Sequence, residues 1–299
     1  MSVRIGINPL TWTNDDMPEL GADTPLETCL SEGKEAGYAG FELGQKFPRK
    51  AEVLGPILDA HGLKLVSGWY SSQLLERTAE EEIEAMQDHM NLLKALGSNV
   101  MVYCEVSQCI HGEREVPVSK RPVMTDAEWT TLLERIEVVG QYLQSQGMAL
   151  AYHHHMGTVV ESEADVDRLM QGTSDAVGLL LDTGHMTYAG GDPLALAKRY
   201  AGRIRHVHCK DIRAEVLKDA KNQNLSFLNS VLNGTFTVPG DGSVDYPSIF
   251  AVLKECNYSG WLVVEAEQDP AVAHPLTYAK LGYANLTKLC ADAGLEVSV

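Results

Sequence analysis

Histidines and carboxylates gather at the ends of short apolar runs in this chain. Leu150-Ala151-Tyr152 leads into His153-His154-His155, and Gly178-Leu179-Leu180-Leu181 into Asp182-Thr183-Gly184-His185. Ile204-Arg205 leads into His206-Val207-His208-Cys209-Lys210-Asp211, and Trp261-Leu262-Val263-Val264 into Glu265. A charged carboxylate at the end of a buried run is costly unless it is paired or holds a metal. Carboxylate oxygens and imidazole nitrogens from separate runs make a mixed donor set, suited to Mn²⁺, Co²⁺ or a similar ion rather than to a closed thiolate zinc site. Such an ion polarises a carbonyl and stabilises an enediolate, so proton abstraction beside a ketone is the natural chemistry.

In an extended strand His153 and His155 share one face and His154 takes the other. If that face lines a site, one strand delivers two imidazoles to it. His206 and His208 repeat the pattern; one is expected to face inward and the other to pack among helices. Asp182 is either a ligand or the cap of the next helix. Glu265 is a ligand or half of a buried ion pair, and Glu267, two residues on, shares its facing. Asn8 and Trp12, Glu42 and Lys46, Trp69 and Tyr70, and Glu105 follow the first four runs; each lines a sugar-sized pocket or simply packs. Gly240-Asp241-Gly242 reads as a turn, because no helix N-terminus with a lysine follows in P-loop fashion.

These groups need elements that bring them together. Eight strand-like runs fall near residues 3–8, 40–43, 64–68, 99–104, 149–153, 178–182, 204–208 and 261–265. Helix-compatible stretches at 25–36, 50–61, 79–96, 126–146, 162–170, 193–200 and 246–255 lie between them. The alternation is that of repeated βα units around a parallel sheet. Closed into a single (β/α)8 TIM barrel, such a sheet brings all eight strand ends to one face, where catalytic and metal-binding groups collect. Thr24 before Pro25 suits an N-cap with proline in the first turn, and Asp126 and Ser162 open carboxylate-rich first turns. Gly37, Gly62, Gly97 and Gly147 stand where helices end and a left-handed cap is needed. The two longest irregular stretches, 107–125 and 213–237, follow the fourth and seventh strands and are expected to be lids or subunit contacts.

With 299 residues and no flexible linker, one domain over 1–299 is expected. Against 41 acidic residues stand 24 lysines and arginines, a net charge of -17 that leaves no basic stripe for phosphates and excludes nucleic acid as a partner. A small neutral or polar substrate fits better. The first residues lack a basic segment followed by a long apolar one, and no run is long enough to cross a bilayer, so a soluble cytoplasmic protein is expected. Six scattered cysteines without a CxxC pair read as reduced thiols.

The residues together resemble the xylose isomerase-like TIM barrels of the sugar isomerase, epimerase and endonuclease IV superfamily, and within it the inosose dehydratase family. The resemblance runs from Gly6-Ile7-Asn8-Pro9-Leu10-Thr11-Trp12 through Gly68-Trp69-Tyr70, 152–158, 181–185, 206–211 and 238–242 to Glu265-Ala266-Glu267-Gln268-Asp269-Pro270, nearly the whole chain. The superfamily places a metal on a Glu, an Asp, a His and a Glu from strands five to eight. Here the last three positions fall on Asp182, His208 and Glu265, while the first falls on His153. Epimerases use the two glutamates on opposite faces of the substrate, so this departure points to a dehydratase, in which a carboxylate and an imidazole serve as base and acid.

The resemblance thus implies elimination of water from scyllo-inosose, a cyclitol ketone, with Mn²⁺ or Co²⁺, and with glutathione as a family cofactor. Glu265, His153 and His155 are then the expected catalytic residues; the resemblance places His155 and His185 at substrate-contact positions, and Asn8, Lys46, Trp69 and Lys210, from their places after the strands, are expected to join them. It also implies a homo-oligomer, a dimer or tetramer. A ketose 3-epimerase or isomerase on the same barrel is the nearest rival, separated by D₂O: an epimerase returns labelled sugar and forms no dione. A non-catalytic inositol-binding protein would keep the pocket without turnover.

Overall fold

Eight short runs rich in branched aliphatic and aromatic residues form the parallel strands β1 (Ser2–Ile7), β2 (Gly40–Leu43), β3 (Lys64–Ser72), β4 (Val100–Glu105), β5 (Ala149–His153), β6 (Val177–Asp182), β7 (Ile204–Cys209) and β8 (Trp261–Val264). In this computed structural model, which describes residues 2–298, β8 pairs with β1 from Arg4 opposite Trp261 to Ile7 opposite Val264 and closes the barrel. Met1 and Val299, the two ends of the expected domain, lie outside the described residues. A two-residue strand, Glu296–Val297, adds to the outer end of β1.

Outward-facing apolar residues of the strands pack against the surrounding helices as the main core. The interior is packed as well. Val66, Trp261 and Val263 form one interior cluster, and Val100, Val102, Ala151 and Leu180 form another. Gly6 and Gly40 admit the Trp261 ring, since a Cβ would come within 3.3 Å and 3.0 Å of it respectively. This apolar packing leaves the polar groups at the C-terminal ends of the strands, the face on which barrel sites are built.

The expected helices are present with small changes at their ends. The first runs Leu26–Ala36 with Pro25 at the cap and no side-chain cap bond, so Thr24 is not the N-cap; its carbonyl instead accepts from Lys46. The stretch 79–96 is two helices, Ala79–Ala85 and Gln87–Ala95, joined at Met86. Thr125 and Ser162 cap their helices with complete capping boxes closed by Glu128 and Asp165. All four glycines expected at helix ends adopt positive φ.

Larger differences lie after β6, β7 and β8. Residues 213–237 are not irregular: they form helices Ala214–Asn222 and Phe227–Leu232, then a short strand, Phe236–Thr237, antiparallel to Asp211–Ile212. Helices Thr183–Ala189 and Pro275–Ala293 also go beyond the expected set.

The Gly-Asp-Gly turn folds over Asp211, whose carboxylate accepts from the amides of Ile212, Gly240, Gly242 and Val244 at 2.8–3.1 Å. Asp211→Ala would strand these donors and is expected to cost about 3–5 kcal/mol, read as a lower urea midpoint at unchanged slope. A loss under about 1 kcal/mol would mean that the turn holds itself.

Candidate active site

Strand register decides which side chains meet. A register shift between Leu179 and Leu180 sets Leu180 opposite His206 and Asp182 opposite His208. Because residues two apart on a strand share a face, both His206 and His208 point into the barrel. This corrects the expectation that one of them would pack among helices. His153 ends β5, Asp182 ends β6, and Glu265 follows β8 directly.

His153, Asp182, His208 and Glu265 each offer a donor atom, and these atoms lie within 4.8 Å of one another. His208 Nδ1 is 2.7 Å from Glu265 Oε2, 3.1 Å from His153 Nε2 and 3.4 Å from Asp182 Oδ2. His153 Nε2 is 3.3 Å from Asp182 Oδ2. Asp182 also caps helix Thr183–Ala189, its Oδ1 accepting from the His185 amide at 2.7 Å. The cap and ligand readings of this residue therefore fall on different oxygens.

The donor set fits a divalent ion. Asp182 Oδ2 and Glu265 Oε2 are buried and find no hydrogen bond of good geometry, although imidazole nitrogens lie close. Two ring nitrogens facing each other at 3.1 Å also suit a shared cation. Burial alone would lower the His208 pKa, yet the charges of Glu265 and Glu42 outweigh it and lift the ring well above its usual range, which marks the centre as a well for positive charge.

Glu42 orients this centre from behind. Its Oε1 accepts from His208 Nε2 at 3.1 Å, from His206 Nε2 at 2.8 Å and from Ser67 Oγ at 2.5 Å, and its Oε2 accepts from Asn8 at 2.7 Å. A carboxylate holding the far nitrogen of a ligating imidazole is the usual device for fixing its tautomer and direction.

Beside the cluster, Lys210 is fully buried, its Nζ 2.5 Å from Glu267 Oε2 and 2.9 Å from His185 Nε2. Burial would lower its pKa, but Glu265 and Glu267 outweigh that and keep it charged. The His155 and His185 ring centres lie 4.0 Å apart with the rings tilted, and burial holds both neutral. His155 Nδ1 lies 2.8 Å from the Met156 carbonyl; a carbonyl can only accept, so the proton sits on Nδ1 and Nε2 is left bare. His154 stays outside the cluster, with neither ring nitrogen bonded and burial pushing its pKa down to about 3.

Above these groups lies a cavity of about 260 Å³ whose lining includes Asn8, Trp69, His111, His155, His208 and Glu265. It presents five carboxylates, from Asp15, Asp16, Glu42, Glu265 and Glu267, and no lysine or arginine. That lining does not fit glutathione, whose two carboxylates would need cations. Trp69 stands edge-on to His153 and His155, and Phe227 from the segment after β7 covers His155.

Of the residues expected to contact substrate, Asn8 and Trp69 line the cavity, while His185 and Lys210 lie just beneath it. Lys46 does not reach it: its ammonium is spent on the carbonyls of Gly21, Ala22 and Thr24. Nor do Trp12, Tyr70 and Glu105, which bond Glu32, pack on Tyr103 and clamp the Leu74 and Ser107 amides respectively. His111, Asp15 and Asp16 reach the cavity from loops whose sequence carries no periodic signal.

Comparison with known proteins agrees with this architecture. Residues 30–289 match the family of xylose isomerase-like TIM barrels. The rhizopine catabolism protein MocC of Rhizobium meliloti is 53% identical over 298 residues, 100% of this chain and 92% of that one. An inosose dehydratase of Bacillus thuringiensis (strain Al Hakam) is 45% identical over 280 residues, 93% of this chain and 94% of its own. Among solved structures, the IOLI protein with a binding zinc atom superposes with a TM-score of 0.66 at 17% identity, covering 97% of this chain and 98% of that one, a likeness of fold. Among the described residues no helix is long and apolar enough to cross a membrane. The barrel, the metal-capable cluster and these relatives agree: the chain belongs to the inosose dehydratase family, lyase-type enzymes on a xylose isomerase-like TIM barrel.

Proposed function

We propose that this chain, as a single catalytic domain, eliminates water from scyllo-inosose (2-keto-myo-inositol) to give 3D-3,5/4-trihydroxycyclohexane-1,2-dione. His153, Asp182, His208 and Glu265 would hold Mn²⁺ or Co²⁺. The observation that carries this reading is a four-donor cluster at the floor of a cavity lined by carboxylates alone among charged groups, His aside. A neutral polyhydroxy ketone suits such a lining, whereas a sugar phosphate would meet repulsion. When bound, the ion supplies Lewis-acid polarisation of the ketone and stabilises negative charge beside it.

The chain's own residues move the proton. With Nδ1–H held by the Met156 carbonyl, His155 takes the proton from the carbon beside the ketone at its bare Nε2. It then returns that proton to the departing hydroxyl. The carbon–oxygen bond breaks, water leaves and the imidazole is neutral again, so one group serves both halves of the elimination. Glu265 and His153, which the resemblance makes catalytic, serve here through the donor cluster. Trp69 gives the ring an apolar wall.

The test is dione formation from scyllo-inosose by chelator-stripped protein, followed by absorbance, with and without Mn²⁺ or Co²⁺. Product only in the presence of ion is expected. Folded protein that returns deuterium-labelled ketose from D₂O and forms no dione would be an epimerase. Since a 53% identical relative is named for rhizopine catabolism, rhizopine belongs in the same assay. Its consumption, with scyllo-inosose untouched, would replace the substrate and leave the centre standing.

A further inference from the structure

A second group of buried donors adjoins the first: His155, His185 and Glu267 also place ligand atoms within 4.8 Å of one another. The two groups are linked by Glu265, whose Oε2 is 2.7 Å from His208 Nδ1 and 3.5 Å from Lys210 Nζ. A carboxylate oxygen between two such groups is the layout of a dinuclear centre. The second cation position is already filled. Lys210 Nζ sits 2.5 Å from Glu267 and 2.9 Å from His185, and lies 5.0 Å over the Phe236 ring.

The ammonium is built in. Thr183 Oγ1 pins the Lys210 backbone, accepting from its amide at 3.2 Å and lying 2.8 Å from its carbonyl. Gly184 leaves room for the stem, since a Cβ there would fall 2.5 Å from Lys210 Cγ.

We infer that Lys210 takes the place of a second divalent ion and so fixes the centre as mononuclear. The inference rests on the metal reading above and extends it. An ammonium needs acceptors only from Glu267, Glu265 and His185, so the Nε2 lone pair of His155 stays free for substrate. A second metal ion would bind that lone pair and remove the base.

The test counts ions. Stripped protein is given excess Mn²⁺, freed of loose ions and analysed for Mn²⁺ per chain, with electron paramagnetic resonance of the same samples. The parent is expected to hold one ion with an uncoupled spectrum. Lys210→Ala should hold two with a spin-coupled spectrum, and Lys210→Ser, which keeps a small polar group in the space, should do the same if the alanine variant does not fold. One ion in a folded variant would overturn the inference while leaving the metal centre intact. Two coupled ions in the parent would overturn it without any variant. No ion in the parent would remove the metal centre itself.

Discussion

Asp182→Asn is expected to lower turnover about 10³-fold and to weaken divalent-ion affinity by about 10²-fold or more, while the protein melts close to the parent. The split follows from the residue's two oxygens. Oδ1 caps helix Thr183–Ala189, and asparagine caps a helix as well as aspartate does. Oδ2 faces His153 and His208 and finds no hydrogen bond of its own. An amide there loses the negative charge and, in one of its two orientations, turns N–H bonds toward the imidazoles. Burial alone would raise the Asp182 pKa, but the nearby His185 ring, the charge of Lys210 and the imidazoles of His153 and His208 beside it hold it well below the carboxylate range, so the charged form is the one removed. Asp182→Ala should show the same kinetic loss and a further cost of about 1 kcal/mol from the missing cap. Chelator competition, turnover at saturating ion and thermal melting measure the three effects separately. Full turnover with parental ion affinity in Asp182→Asn would mean that the cluster is a buried polar network and not a metal centre.

Much of this centre is legible in the sequence because barrel strands present their functional groups at one end. His153, Asp182, His208 and Glu265 each stand at or next to the last residue of an apolar run, and period-two alternation brings His153 and His155 to one face. Their partners come from features without a local signature. The register shift between β6 and β7 that sets Asp182 opposite His208 is a property of two strands together. Glu42 looks like one pocket carboxylate among several until the structure shows His206, His208, Ser67 and Asn8 all converging on it. Lys46 follows β2 at a plausible place, but a long side chain reaches either way and the carbonyls at 21–24 capture it. The segment 213–237 reads as loop because its two helices are only nine and six residues long, too short for a decisive period. Their tertiary role decides them: Phe227 and Phe236 pack on His185, and Phe227 also covers His155.

His155→Asn separates proton transfer from ion binding. Its amide N–H can replace Nδ1–H on the Met156 carbonyl, while the group that would receive the substrate proton disappears. Turnover is expected to fall about 10²–10⁴-fold, the range that a positioned acid–base group contributes, with ion content unchanged because His155 is not among the four donors of the first cluster. Exchange of the α-proton with D₂O should fall in step, since the same nitrogen begins the reaction and ends it. His153→Asn offers the opposite pattern: it shortens a donor that stands 3.3 Å from Asp182 and 3.1 Å from His208, so ion affinity should drop first and activity with it. The comparison also tests whether one imidazole serves both halves of the elimination. If His155→Asn keeps parental exchange and loses only dione formation, another group takes the proton, and the Glu265 carboxylate is the one next to the centre able to do so. If it keeps both, His155 is a wall of the cavity and the base assignment fails.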